Sequence, residues 1–157
     1  GVVGGMLYIL THSAAKAGLF LCAGIVEHNV HTKDMTKMGG LCKNMPVTAA
    51  AFILCAFSVM GIPPFGGFFA KYLVIDGIIS SGNIALGIVF ILGAVMTVLY
   101  LTRLFVKVFL GPQTFPDVKE GTPSMVVSAM VLAVLTLALG VFISVPSGLA
   151  SLIGRWT

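Results

Sequence analysis

Charge is what this sequence has least of. Only 9% of its 157 residues are Asp, Glu, Lys or Arg, whereas 58% are hydrophobic and the mean hydropathy is +1.09. Soluble globular domains carry roughly 25% charged residues, so this composition excludes an ordinary soluble domain. It predicts a chain for which lipid is the main solvent.

Motifs for metals, cofactors and covalent catalysis are also lacking. Cys22, Cys42 and Cys55 have neither a CxxC nor a His-linked spacing, which predicts free thiols. No glycine-rich nucleotide loop, haem or iron–sulfur spacing or nucleophile elbow is present. The basic residues give a net charge of +4 but form no stripe, which argues against nucleic-acid binding. We therefore predict no cofactor, no metal and no catalytic residue here, and expect any redox reaction to occur on another chain.

Long apolar runs divided by short breaks make up most of the sequence. A helix needs about 20 apolar residues to cross about 30 Å of hydrocarbon, and only helices or closed barrels can span a membrane. The runs are apolar on all sides, whereas barrel strands alternate. We predict an all-α, multi-pass membrane protein with a single domain over residues 1–157. Its expected spans are 2–26, 46–60, 65–79, 84–110 and 124–145.

Two of the breaks shape the predicted topology. Residues 27–45 form a polar loop, and Gly61-Ile62-Pro63-Pro64 interrupts the helix between the second and third spans. Five separate crossings would place loop 27–45 and loop 111–123 on opposite sides of the membrane. The basic residues are then divided too evenly to fix the orientation. Since Gly1 stands where an initiator Met would be, we expect a piece of a longer protein.

Lys16 lies near the centre of the first span, where a charge costs about 2.5 to 3.5 kcal/mol. His12 precedes it by one helical turn and Tyr8 by two, so the three side chains share a face. Such a column can bind or pass protons. The alternative is that His12 and Lys16 hold neighbouring helices together by hydrogen bonds.

Lys71 follows the Gly/Pro break closely. Broken helices in transporters place helix ends beside ions near the midplane, and a desolvated Lys exchanges its proton readily. The alternative is a snorkelling side chain at a helix end. Asp76 is either a counter-ion or a solvated group near a turn. Glu27, His28 and His31 form either a proton entry or exit cluster at the mouth of the first helix or, as we favour, a wetted interface.

Four segments of the chain resemble one known family in order and spacing. They are residues 11–21 (THSAAKAGLFL), 37–41 (KMGGL), 45–46 (MP) and 61–71 (GIPPFGGFFAK). The family comprises the antiporter-like subunits of respiratory complex I, of membrane-bound energy-converting hydrogenases and of Mrp-type Na+/H+ antiporters.

The resemblance implies a parent of about fourteen helices with two five-helix inverted repeats, of which this chain is the C-terminal portion. It implies that Lys16 and His12 lie on a hydrophilic axis in the middle of the membrane. Lys71 would be the key ionisable residue of the broken helix, where some relatives have Glu.

The function expected from these observations is ion transport. We predict a proton- or Na+-translocating subunit of a redox-driven or antiporter complex, in a prokaryotic cell membrane or an organellar energy-converting membrane. Its expected partners are other membrane subunits, including antiporter-like neighbours, redox subunits elsewhere in the complex and the lipid bilayer. The complex would be an NADH:quinone oxidoreductase-like, hydrogenase-like or antiporter assembly. The alternative is a non-pumping subunit that braces or seals the complex, which should have lost its membrane ionisable residues.

Overall fold

A computed structural model describes residues 2–146 and residue 148, and the described part is built from helices. The five α-helices are α1 (Val2–Val30), α2 (Pro46–Met60), α3 (Gly66–Ser80), α4 (Ile84–Phe109) and α5 (Pro123–Val141), with a short 3-10 helix at Leu41–Lys43. The predicted all-α class is confirmed. By length and composition α1, α4 and α5 can each cross a membrane, and α2 is a shorter apolar helix.

Two predicted helix ends were wrong by several residues. α1 continues four residues beyond Val26, because Glu27 and His28 are polar without being helix breakers; it stops before His31, whose φ of 55° is left-handed. Glu27 and His28 therefore lie in the last turn of a helix and not in the loop. α5 stops at Val141 although the apolar run continues to Val145. The other bounds agree within one residue.

Local signals explain where the shorter helices begin and end. Pro46 occupies the first turn of α2, where its missing N–H costs nothing. Gly61 ends that helix with φ 84°, a left-handed conformation that glycine adopts without strain. The side chain of Asn83 accepts a hydrogen bond from Leu86 N at 3.2 Å and so caps the start of α4.

α2 and α3 are stacked end to end and form one broken crossing. Against α1, Cys55 of α2 lies beside Gly18, Gly66 beside Thr11, and the backbone of Leu73 and Val74 beside Gly4. α2 thus packs along the C-terminal half of α1, and α3 packs along its N-terminal half. Two 15-residue helices measure about 45 Å in total and the 29-residue α1 about 43 Å, at 1.5 Å per residue.

The loop after α1 (residues 31–45) and the loop between α4 and α5 (residues 110–122) lie on one face of the bundle, which we call the loop face. Gly40 N donates to Leu110 O at 3.0 Å, and Thr114 N donates to Gly39 O at 3.3 Å. The predicted placement of these loops on opposite sides is therefore wrong. The error arose because the broken helix was counted as two crossings.

The core lies between α1, α2 and α5, where small side chains let the backbones approach closely. Gly18 of α1 packs against Cys55 and Leu132, and Gly140 of α5 packs against the backbone of Pro64 and Phe65. α5 thus runs from the loop face to the level of the break. α4 lies at the periphery, and only 6% of its most apolar window is buried in the described chain.

Candidate functional site

Lys71 lies inside the bundle at the break. Lys71 is only 9% exposed, and its Nζ donates to the carbonyl oxygen of Met60, the last residue of α2, at 3.1 Å. A side chain on a helix points back toward the helix N-terminus, which directs Lys71 of α3 toward the end of α2. Its position inside the bundle was predicted, and it disfavours snorkelling.

The break supplies both the acceptor and the space for this lysine. α2 ends at Gly61, so the Met60 carbonyl is free of the intrahelical bond that a continuing helix would form. A Cβ on Gly61 would lie 2.9 Å from Cδ of Lys71, so the lysine stem runs directly over the glycine. The interruption of the helix and the burial of the cation are parts of one arrangement.

The predicted column on α1 is present and faces α4. The rings of Tyr8 and His12 stack with centroids 5.1 Å apart, and Tyr8 also meets Phe90 edge-on at 6.3 Å. Lys16 Nζ donates to the hydroxyl of Tyr100 at 3.3 Å and lies 5.8 Å from the centre of that ring. This interhelical hydrogen bond is also what the structural interpretation of Lys16 predicts.

His12 lies on α1 between Tyr8 and Lys16, one helical turn from each. Neither Lys16 nor Lys71 has a carboxylate partner among the described residues. The two ion pairs found there, Lys33 with Glu27 at 3.2 Å and Lys37 with Asp34 at 3.8 Å, both lie at the loop face. The intramembrane charges are thus held by a carbonyl and a phenol rather than by acids.

The accessory residues are not brought into this group. Asp76 is exposed near the end of α3 and forms no ion pair with either lysine among the described residues. Glu27 and His28 are exposed in the last turn of α1, where Glu27 pairs with Lys33 and His28 meets His31 edge-on at 6.5 Å. Their surroundings agree with the wetted interface that we favoured.

A groove between α1 and α4 extends from Lys16 to the loop face. It has a volume of about 320 Å³ and is lined by Lys16 and Tyr100 at one end and by Glu27 and Lys33 at the other. Leu19 and Phe52 are among the apolar side chains between these polar ends. Lys16 therefore shares an open groove with the loop face, although much of its wall is apolar.

Sequence reasoning missed three polar residues at or near this site. Tyr100 was not singled out, although a Tyr inside an apolar helix usually has a partner for its hydroxyl. Glu120 was treated as an ordinary loop residue, yet its carboxylate accepts from Val47 N at 3.0 Å and Thr48 N at 3.2 Å, at the start of α2. The side-chain hydroxyl of Ser58, one turn before the break, is buried without a hydrogen-bond partner among the described residues.

A multi-pass helical bundle with a broken helix and unpaired intramembrane lysines defines an antiporter-like membrane subunit. Residues 1–97 match the family described as NADH:quinone oxidoreductase/Mrp antiporter, TM. The chain belongs to this family, as the resemblance in its motifs predicted.

The relatives include subunits of NADH-quinone oxidoreductases and of Na(+)/H(+) antiporters. The chain is 42% identical over 110 residues to NADH-quinone oxidoreductase subunit L of Mycobacterium tuberculosis, which covers 68% of this chain and 17% of that protein. It is 31% identical to Na(+)/H(+) antiporter subunit A1 of Staphylococcus saprophyticus over 91% of this chain and 20% of that protein. Among solved structures, a chain of the Mrp complex from Dietzia sp. superposes with a TM-score of 0.87 at 27% identity, over 96% of this chain and 37% of that one.

The chain is thus similar to subunits of multi-subunit membrane complexes, and it is itself an integral membrane protein. It spans about a fifth of the length of the two relatives just named.

Proposed function

We propose that this chain is part of an ion-translocating subunit, in which Lys71, His12 and Lys16 carry protons or Na+ along the interior of the membrane. The family membership supports an antiporter-like subunit, and the two lysines supply groups that can hold and release a proton. The subunit would work beside other membrane subunits, with any redox reaction on a separate chain.

The observation that carries the proposal is the state of Lys71. Its ammonium group is buried at a helix break and bonded to a single backbone carbonyl, with no carboxylate partner among the described residues. Burying an unpaired charge costs several kcal/mol, and a purely structural role is served at lower cost by an apolar side chain. A group kept in this state is typical of ion pathways in membranes.

Transfer would depend on changes in the electrostatic field. Lys71 holds its proton when a negative charge or a free carbonyl faces it, and releases the proton when a nearby positive charge makes the ammonium unfavourable. His12 lies one helical turn from Lys16 on α1. A charge that moves in a neighbouring subunit can therefore shift the proton from one lysine toward the other through His12 and internal water.

The test is to replace Lys71 with Ala in the intact complex and to measure the pH gradient formed by membrane vesicles. We expect loss of most coupled transport with normal assembly, because the single bond from Lys71 to Met60 is a small part of the contacts that hold α2 and α3 against α1. Lys119→Ala, in the exposed loop before α5, is the matched control and should pump normally. Undiminished pumping by the Lys71 variant would remove this residue from the pathway.

Proton and Na+ transport are separated in the same vesicles by following the pH gradient and the uptake of labelled Na+ together. A pH gradient that forms at the same rate without Na+ favours proton translocation. Strict dependence on Na+ favours exchange of the two ions.

A further inference from the structure

The hydroxyl of Ser58 differs from those of Thr11, Thr48 and Thr136, the other buried helix hydroxyls among the described residues, each of which has a hydrogen-bond partner. Serine and threonine inside helices commonly donate to a carbonyl one turn back, as Thr97 does to Gly93 at 2.7 Å and Ser128 to Ser124 at 2.8 Å. Ser58 is 1% exposed, and its Oγ is the one buried side-chain oxygen or nitrogen without a hydrogen-bond partner among the described residues.

Ser58 and Lys71 lie in the same contact between α2 and α3. Gly67 of α3 packs directly over Ser58, and a Cβ on Gly67 would lie 3.3 Å from Ser58 Oγ. One turn further along the same face of α3, Lys71 packs over Gly61 and bonds to Met60. Ser58 and Lys71 are therefore both buried in the contact between α2 and α3, about one helical turn apart along it.

The energetics favour a polar ligand at this position. A buried hydroxyl without a partner costs about 1 to 3 kcal/mol, and alanine at position 58 would avoid this cost. The ammonium group of Lys71 carries three N–H donors, and Met60 accepts one of them. A water molecule can satisfy both groups at once, since buried waters typically make about three hydrogen bonds to polar groups that lack other partners.

We propose that Ser58 is a positioning residue of the pathway, which holds a water molecule against the ammonium group of Lys71. The proposal rests on the function proposed above and adds the first acceptor of the Lys71 proton. In the transfer step an N–H bond of Lys71 breaks and an O–H bond forms on the water, which passes one of its own protons to the next water. Lys71 becomes neutral, the held water is restored, and the Ser58 hydroxyl remains intact.

The experiment compares Ser58→Ala, Ser58→Thr and Lys71→Ala in the intact complex reconstituted in vesicles, with subunit content as the check on assembly. Ser128→Ala, which removes an exposed hydroxyl on α5, is the matched control. We expect Ser58→Ala to slow transport roughly tenfold, which is below the usual range of about 10² to 10⁴ for loss of a direct proton-transfer group because the water keeps other neighbours. Ser58→Thr keeps the hydroxyl and should retain most of the rate, and Ser128→Ala should behave as the wild type.

A second readout does not depend on transport. A cryo-electron microscopy map of the complex that resolves waters should show one at hydrogen-bond distance, about 2.7 to 3.2 Å, from Ser58 Oγ. The same density should be absent in an assembled Ser58→Ala complex. This readout also decides the matter if Ser58→Ala fails to assemble.

The outcomes separate the two proposals. Normal pumping by Lys71→Ala overturns the proposed function and this inference with it. Loss of pumping in Lys71→Ala together with a wild-type rate in an assembled Ser58→Ala complex overturns this inference alone. Loss of transport in both Ser58 variants without a water density at Ser58 in the wild type also overturns it, because a packing defect then explains the result.

Discussion

At the scale of single residues, the site combines one buried and one partly buried lysine with different partners. Lys71 bonds to a backbone carbonyl that only the helix break makes available, whereas Lys16 bonds to the phenol of Tyr100. Both partners are neutral acceptors, so neither lysine is paired with a negative charge among the described residues. His12 lies one helical turn from Lys16 on α1, and the proposed function makes it the relay between the two lysines.

The relay predicts an order among substitutions of Lys16, of His12 and of Tyr100, the partner of Lys16 on α4. Lys16→Gln should be the most harmful, because it removes a charge whose field helps to set the protonation of Lys71. His12→Ala should slow transport less, and Tyr100→Phe least, since Phe keeps the ring under the ammonium group. Initial rates of proton uptake in vesicles measure all three.

The ion specificity should not change in His12→Ala, because the variant removes a relay and leaves both lysines in place. Phe105→Leu, at a partly buried apolar position of α4, serves as the control for a mild change of packing on the helix that carries Tyr100. Normal transport in both His12→Ala and Lys16→Gln would leave two independent lysines without a relay.

At the scale of helices, α2 is anchored at both of its ends. At its start the Glu120 carboxylate accepts from two backbone N–H groups and from Thr48 Oγ1 at 2.5 Å. At its end the Met60 carbonyl accepts from Lys71. Asn44 bonds to Pro116 O and to Val118 O, both at 2.8 Å, and so ties the preceding loop to the same segment. These bonds therefore fix the position of α2 relative to the loop that joins α4 to α5.

The anchor at the start of α2 predicts a loss of stability in Glu120→Ala. Hydrogen bonds to a charged group contribute roughly 1.5 to 3 kcal/mol, and a carboxylate at a helix N-terminus adds about 0.3 to 1 kcal/mol. Because Glu120 is partly exposed, we expect a total near the lower end, about 2 kcal/mol. The melting temperature of the purified complex in detergent measures the loss.

Asp117→Ala is the matched control for this prediction, since Asp117 is an exposed carboxylate in the same loop. It should leave the melting temperature unchanged. Equal melting temperatures for both variants and the wild type would mean that the Glu120 bonds do not hold α2 in place.

At the scale of the whole molecule, counting α2 and α3 as one broken crossing places the basic residues of both loops on the same side of the membrane. Lys33, Lys37 and Lys43 share the loop face with Lys119, whereas the turn at residues 81–83 on the opposite side carries no charge. Cytoplasmic loops are enriched in Lys and Arg. The even division expected from the sequence was wrong, and the corrected topology favours a cytoplasmic loop face.

Cysteine labelling in membrane vesicles of known orientation tests this placement. In a Cys42→Ser background we expect Thr36→Cys to react with an impermeant thiol reagent only from the cytoplasmic side, and Asn83→Cys only from the opposite side. The buried Cys22 and Cys55 should stay unlabelled in both cases. The reverse pattern would show that the loop face lies outside the cytoplasm.

The sequence by itself determined the helical segments, the helix break and the intramembrane position of the lysines, because hydropathy, Pro and Gly act on neighbouring residues along the chain. It determined the family for the same reason, since the matching motifs are short and local. The three-dimensional contacts were decided only by the tertiary structure. The bonds of Lys16 to Tyr100 and of Glu120 to Thr48 join residues 84 and 72 positions apart, and no local pattern specifies such pairs. The stacking of α2 on α3, which places both loops on one face, likewise depends on how the helices pack and not on how each one forms.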